Sequence, residues 1–239
     1  MENLPERRFL SSLIKKKNVG PADLSLAAVQ LANIHSDSGM SVREGETGKA
    51  ERFQALCDDM LYQMKRYFDP SITQPIIDMI RHPLDKFIHS KSNVFGKRLR
   101  KGRVVQGHGS LLPEHIHIQG ETVRFLSPHE VYKKYSVLDA AHDVATLMVD
   151  LIVANEQELA DHFLQKYKEA SRDKDLESIL PAYQTYCALK HGVLTCERKV
   201  ALQDESLGPV ALEYFNLATR FSRTCLLYTS DAADDTPCV

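Results

Sequence analysis

The 239-residue sequence has no tryptophan, no excess of charge of either sign and no long run of apolar residues. Its 30 basic and 32 acidic residues give a formal net charge of -2, which argues against a nucleic acid or an acidic membrane surface as partner. No apolar run approaches the roughly 20 residues of a bilayer-spanning helix. The charged stretch Met1 to Arg8 is not followed by a signal-peptide core. We therefore expect a cytoplasmic protein that binds neither nucleic acid nor membrane.

Cysteines are few, odd in number and widely separated, and no two of them form a C-x-x-C pair. This pattern does not suit a disulfide framework, so free thiols are expected. Hydrophobic residues make up 43% of the chain and charged residues 26%, which is typical of a globular protein with a buried core.

The spacing of apolar residues predicts a mostly helical chain. One apolar helix face is predicted at Leu24, Ala27, Ala28, Leu31 and Ile34, and the almost wholly apolar run after Asp143 predicts a core helix. Pro21 suits the first turn of a helix, whereas Pro83 lies inside one and is expected to kink it. The segment 36–48 is rich in Ser and Gly and predicts a loop. The predicted helices cover residues 6–17, 21–36, 50–68, 72–98, 137–154, 156–170, 174–201 and 207–223.

A β-type pattern interrupts the helices between residues 103 and 126. Residues 103–105 form a short β-type run, and Gly107 to Gly109 predicts a turn or loop. Two short strands, 116–118 and 123–126, are joined by 119–121 in a predicted hairpin. A small hairpin among helices indicates an α+β fold that is mostly α.

The lead-in to this hairpin, residues 104–116, reads VVQGHGSLLPEHI. It resembles the catalytic loop of aminoglycoside phosphotransferases and related small-molecule kinases, in which His-Gly-Asp is followed by four residues, Asn, a hairpin and a metal-binding Asp. The resemblance spans about residues 1–224 and implies the helical C-terminal lobe of a protein-kinase-like fold, with the hairpin carrying the catalytic loop. Other segments similar to this family, in the same order, are 3–10, 139–145, 150–151 and the region of Tyr183 and Tyr186.

The resemblance implies ATP-dependent phosphoryl transfer to a hydroxyl group of a small molecule. In such enzymes a carboxylate orients the hydroxyl proton, while Asn and a second carboxylate hold Mg²⁺. Here the position of the base is Ser110, that of the Asn is His115, and that of the metal-binding Asp is Ser127. A serine hydroxyl is neutral at pH 7, and loss of a general base costs on the order of 10²–10⁴ in rate. We expect this chain to be inactive as it stands.

Residues that shape the loop are retained. Gly107 and Gly109 let the chain turn, and by the resemblance His108 packs under the loop while Asp143 hydrogen-bonds its backbone from a core helix. A scaffold that is kept while the catalytic acids are lost is also typical of a pseudokinase. The alternative function is therefore a non-catalytic interaction or regulatory module.

The resemblance also bears on both ends of the chain. Family members carry an N-terminal β-rich lobe over the nucleotide, and Met1 falls where the helical lobe begins, so we expect a piece without that lobe. In some members of one bacterial branch a P-loop kinase domain follows, and residues 215–223 resemble the approach to it. Residues 225–239 resemble a translated sequencing adaptor, and we expect them to be a disordered tail.

Other residues have a functional and a structural interpretation. His108, His115 and His117 could bind zinc, since His115 and His117 are expected to share one face of a strand, although no matching cysteine or acid pattern accompanies them. Glu114 and Glu130 could replace the missing metal ligands or base, or could be ordinary surface acids.

Two charged groups complete the candidates. Asp139 and Asp143 stand four residues apart, a spacing that suits capping and loop bracing better than catalysis. Five basic residues lie within Lys97 to Arg103, as a phosphate or RNA patch or as a solvated helix end; no aromatic residues for base stacking are interspersed.

Overall fold

A computed structural model of the protein describes residues 4–38, 48–67, 70–126 and 137–230, without the side chains of 70–73 and 228–230. The structure is mostly helical with small antiparallel strand pairs, in agreement with an α+β, mostly α fold. Within these ranges, no helix combines the length and apolarity needed to cross a bilayer. The chain forms two compact units: unit 1 comprises Met1–Thr47 and Arg98–Leu176, and unit 2 comprises Gly48–Lys97 and Glu177–Val239.

The described helices are α1 (Leu10–Lys15), α2 (Pro21–Asp37), α3 (Ala50–Met64), α4 (Pro70–Ser90), α5 (Ser92–Arg100), α6 (Ala141–Val153), α7 (Gln157–Ser171), α8 (Leu180–Leu202) and α9 (Leu207–Ser230). The described strands are β1 (Val104–Gln106), β2 (Ile116–Gln119), β3 (Thr122–Phe125) and β4 (Val137–Asp139).

In unit 1, α2 and α6 supply the core. The N-terminus of α2 is fixed because the Asp23 carboxylate accepts the Gly20 N–H at 2.9 Å and Pro21 opens the first turn. One face of α2 is buried at the predicted spacing by Leu24, Ala27, Ala28 and Leu31, and the helix packs on α7. Residues 141–149 of α6 are all buried, so α6 is a core helix, as predicted.

The predicted hairpin is confirmed. β2 and β3 pair antiparallel from Ile116↔Phe125 to Gln119↔Thr122, which leaves a two-residue turn, one residue shorter than predicted. Gly120 occupies that turn at φ 60°, a left-handed conformation that suits glycine.

Of the second strand pair, the sequence predicted one strand, β1, but not its partner, β4. β1 pairs antiparallel with β4 from Val104↔Asp139 to Gln106↔Val137. The predicted helix 137–154 is therefore wrong in its first residues, because 137–139 are a strand and α6 begins at Ala141. Asp139 ends the strand and accepts the Ala141 N–H at 2.8 Å, which turns the chain into the helix.

Two further helix predictions need correction. The predicted helix 6–17 is a 3₁₀ turn at Glu6–Arg8 followed by α1, because Phe9 has extended backbone and forms a β-bridge with His117. The predicted helix 174–201 begins only at Leu180.

Unit 2 is a helical bundle of α3, α4, α8, α9 and most of α5. The ring of Phe53 lies 4.3 Å from that of Tyr183 and 5.5 Å from that of Phe95, measured between centroids. α8 and α9 approach closely at Gly192, where a Cβ atom would lie 2.5 Å from the Phe215 ring. A residue larger than glycine at this position would push that ring away.

Boundaries in unit 2 also differ from the predictions. The predicted helix 72–98 is interrupted at Lys91, and Pro83 lies inside α4. α9 continues through Ser230 and Cys225 is buried, so the helix does not end where the adaptor-like tail was predicted to begin. Residues 231–239 lie outside the described part of the chain. Four described cysteines are free thiols: Cys57, Cys187, Cys196 and Cys225.

A buried ion-pair cluster stabilises the residues that lead into β1 and α6 in unit 1. The fully buried Arg98 guanidinium donates two hydrogen bonds to Asp139, both at 2.8 Å, and two to Asp173, at 2.9 and 2.8 Å. Arg103 lies 3.8 Å from Asp173 and Lys101 pairs with Asp175 at 2.7 Å. Two guanidinium groups thus balance two buried carboxylates, and the predicted solvated helix end is in large part a network of ion pairs.

Replacement of Arg98 by Met is expected to lower the free energy of unfolding by about 3–5 kcal/mol, because it leaves two buried carboxylates without their partner. Arg98→Lys should restore little, since an ammonium group cannot donate two bidentate pairs. Urea unfolding monitored by far-UV circular dichroism measures the effect. The exposed Arg100, two residues further on in α5, is the matched control, and Arg100→Met should change stability by less than about 0.5 kcal/mol. Equal effects of the two substitutions would contradict the assigned network.

Candidate functional site

The candidate site is the loop 107–115 of unit 1, which connects β1 to β2. The loop closes on itself: the Ser110 carbonyl accepts the Leu112 N–H at 2.9 Å and the His115 Nδ1–H at 2.8 Å. Gly109 has φ 76°, a left-handed conformation that suits glycine. A 3₁₀ turn at Pro113–His115 then leads into β2. The Ser110 backbone is thus held in place by the loop itself.

The buried carboxylate of Asp143 holds the backbone of the loop through hydrogen bonds. Its Oδ2 accepts the His108 N–H at 2.6 Å and its Oδ1 accepts the Gly109 N–H at 2.9 Å. Asp143 lies in the first turn of α6 and is only 2% exposed. This is the contact that the resemblance implies, and it holds the backbone immediately before Ser110.

Two histidines and a tyrosine complete the surroundings of Asp143, and the sequence did not single them out. His35 on α2 lies with Nε2 3.2 Å from Asp143 Oδ2 and with Nδ1 2.8 Å from the Tyr167 hydroxyl. The Asp143 carboxylate accepts from the His35 Nε2–H, because an ionised carboxylate has no proton to donate. His142 Nδ1 lies 3.4 Å from Asp143 Oδ1.

These contacts determine the charge of Asp143. Burial by itself raises the pKa of a carboxyl group, but the hydrogen bonds from His142 and His35 outweigh it and hold the pKa of Asp143 well below its usual range. The carboxylate is therefore ionised at neutral pH. As an anion it accepts hydrogen bonds from both loop amides, which makes it a strong anchor.

His108 connects the loop to the end of the hairpin. Its Nε2 lies 3.0 Å from the Leu126 carbonyl, and the Leu126 N–H in turn donates to the His115 carbonyl at 2.8 Å. Burial lowers the pKa of His108, so its ring is neutral at pH 7 and donates from Nε2 to the carbonyl. His108 thus joins the loop to the residue that precedes position 127.

The remaining candidates are not gathered into one site. Ser127 and Glu130 lie outside the described residues, and Glu114 is exposed. The prediction that His115 and His117 share a strand face is wrong, because His115 belongs to the 3₁₀ turn and the buried His117 ring packs edge-on against Phe9. In the described part of the chain, no group of three or more His, Cys, Asp or Glu residues is arranged to hold a metal ion.

Comparison with known proteins gives distant relatives of undetermined function. Uncharacterized proteins of Mycobacterium bovis and of two strains of Mycobacterium tuberculosis are each 27% identical to this chain over 201 residues. The match covers 83% of this chain, which spans about 40% of the length of these relatives. No family model and no solved structure matches the chain.

Replacement of Asp143 by Asn is expected to loosen the loop and lower stability by about 1–3 kcal/mol, because an amide cannot accept both loop N–H groups as strongly as a carboxylate. The direct measurement is hydrogen exchange of the Gly109 amide, which should become faster than in the wild-type protein. The exposed Asp161 on α7 provides the matched control. If Asp143→Asn and Asp161→Asn leave Gly109 exchange equally unchanged, the brace assigned to Asp143 is wrong.

The stabilisation by Asp143 is expected to depend on pH. Its folded-state pKa is depressed below the value of about 3.9 for an unfolded chain, so the stabilisation is fully present above that value. It is lost as the pH falls through the folded-state pKa, because protonation removes the anion that the loop amides require. The difference in unfolding free energy between wild type and Asp143→Asn should therefore shrink on acidification below about pH 4. Urea titrations at several pH values test this, and a constant difference down to pH 2 would contradict it.

Proposed function

We propose that the chain is the helical lobe of an aminoglycoside-phosphotransferase-like kinase domain whose catalytic loop has lost phosphoryl transfer. The observation that carries the proposal is the buried Asp143, which holds the His108 and Gly109 amides directly before Ser110. A loop anchored in this way, followed at once by a β-hairpin, suits the placement of a catalytic group at position 110. The hydroxyl substrate, ATP and a cytoplasmic location belong to the same proposal.

The side chains of the loop explain the proposed loss of activity. Phosphoryl transfer depends on positioning and on neutralisation of charge. Ser110 occupies the position of the general base but carries no negative charge, because its hydroxyl remains protonated at neutral pH. The general-base contribution, about 10²–10⁴ in rate, is then missing.

The candidate metal donors do not suit Mg²⁺. Magnesium prefers oxygen ligands in octahedral geometry. His115 offers nitrogen instead, and its Nδ1 is already engaged with the Ser110 carbonyl. Ser127 offers a neutral oxygen in place of a carboxylate. Glu130 or Glu114 would have to supply the negative charge, and neither occupies the family's metal position.

A second candidate is a non-catalytic, pseudokinase-type module. It is favoured by the same loop, which keeps the Asp143 brace and the contacts that close on the Ser110 carbonyl, while positions 110 and 127 carry no acid. Its partner would be a downstream P-loop kinase domain in a longer protein. The greater length of the mycobacterial relatives is consistent with additional domains.

Restoration of the family's donors tests the assignment of the loop. In the full chain, Ser110→Asp, His115→Asn and Ser127→Asp together supply two carboxylates and an amide oxygen, the donors that Mg²⁺ and Mn²⁺ prefer. We expect this triple variant to bind about one equivalent of Mn²⁺, measured by the loss of free-ion signal in electron paramagnetic resonance. The wild-type chain should show no such site and no Mg²⁺-dependent hydrolysis of ATP.

The matched control carries the same charges in the wrong place. It combines His115→Asn with Ser92→Asp and Gln30→Glu, at two exposed positions on α5 and α2 outside the loop. Equal Mn²⁺ binding by the triple variant and the control, or no binding by either, would reject the loop assignment. Magnesium-dependent ATP turnover by the wild-type chain would reject the inactivity but leave the family assignment in place.

A further inference from the structure

Unit 2 contains a cavity that is independent of the loop in unit 1. It has a volume of about 260 Å³ and lies between α3, α4 and α9. Its wall is apolar on the α3 and α4 side and divided on the α9 side, where apolar residues give way to polar ones. The apolar residues lining it are Met64, Ile76, Met79, Leu212 and Phe215.

The wall of the cavity combines rigid and adaptable parts. Phe215 is 2% exposed, and the absence of a side chain at Gly192 lets its ring sit against α8. Met64 is 1% exposed and forms the floor, whereas Met79 at 44% and Leu212 at 48% border the mouth. Methionine side chains are flexible and polarisable, so they adapt to an apolar ligand of varied shape.

The polar edge follows one stripe of α9. Asn216, Thr219 and Arg223 recur at three- and four-residue spacing and therefore face the same side of the helix. The Thr219 hydroxyl donates to the Phe215 carbonyl at 3.0 Å, which leaves its oxygen lone pairs free to accept. Arg223 makes no ion pair or hydrogen bond among the described residues.

We propose that this cavity binds a small amphipathic carboxylate, with its apolar tail between α3, α4 and α9 and its carboxylate on Arg223. A guanidinium group with free donors matches a carboxylate in a bidentate geometry, and the adjacent Asn216 amide offers a further donor. The apolar lining supplies the tail with a hydrophobic contact surface, as is usual in ligand pockets with a few placed polar groups. The volume limits the ligand to a single short chain or one ring.

Octanoate is a suitable probe because it has one carboxylate and a short apolar tail. The chain has no tryptophan, so binding is followed by isothermal titration calorimetry and by chemical shifts of ¹⁵N-labelled protein rather than by intrinsic tryptophan fluorescence. Saturable binding of octanoate to the full chain is expected, with shifts on α9. Acetate, which lacks the tail, and octanamide, which lacks the charge, should each bind at least about tenfold more weakly.

Two pairs of substitutions separate the cavity from the general surface. Arg223→Gln should weaken octanoate binding by about tenfold or more, whereas Arg220→Gln, one turn away and outside the lining, should leave it unchanged. Leu212→Glu places a negative charge at the mouth and should abolish binding, whereas Leu202→Glu, at an exposed position outside the lining, should not. All four positions are solvent-exposed, so the variants are expected to fold, and unchanged circular dichroism verifies this.

Three outcomes would overturn the proposal: no saturable binding of octanoate, equal losses in Arg223→Gln and Arg220→Gln, or acetate binding as tight as that of octanoate. The last result would indicate a simple anion site. Because the cavity and the loop belong to different units, either proposal can fail while the other stands.

Discussion

The first turn of α6 and the residues just before it contain two buried carboxylates, and the arrangement of unit 1 depends on both. Asp139 ends β4, accepts the N–H of Ala141 and pairs with Arg98. Asp143, one turn later, accepts the amides of His108 and Gly109. Burial of a carboxylate costs free energy unless hydrogen-bond donors surround it. Each of the two carboxylates therefore holds in place the groups that donate to it. Asp139 thereby orders the ion-pair cluster, and Asp143 orders the loop.

This arrangement separates the shape of the loop from its chemistry. The brace acts on backbone amides, and the closing contacts end on the Ser110 carbonyl, so among the described residues none of these loop contacts uses the side chain of residue 110. A serine at this position therefore leaves the scaffold intact and supplies no charge. An intact loop geometry is compatible with an active enzyme, an inactive one or a pseudokinase.

The sequence predicted the long elements and missed contacts that join distant segments. The periodic apolar face of α2 and the almost wholly apolar run of α6 after Asp143 were visible because local spacing determines them. β4 was missed because three residues before a helix carry no strand periodicity, and only pairing with β1 defines them. His35 and Tyr167 were missed because each stands alone in its helix, and their roles arise only when α2 and α7 bring them to Asp143. Ser110 and Asp143 were found through the family resemblance.

The charges available at the loop decide whether it could catalyse phosphoryl transfer. Asp143 is already ionised and fully engaged, since two amides and two histidines surround it, so it has no capacity left to serve as a base or a metal ligand. His108 is neutral at pH 7 and donates from Nε2 to a carbonyl, so it supplies no charge to the loop. Any catalytic charge must therefore come from residues 110, 115 or 127, or from Glu114 or Glu130. The hydrogen bonds that hold residues 108–110 end on the Asp143 carboxylate and on the Ser110 carbonyl, so the charge at position 110 can change while these contacts remain.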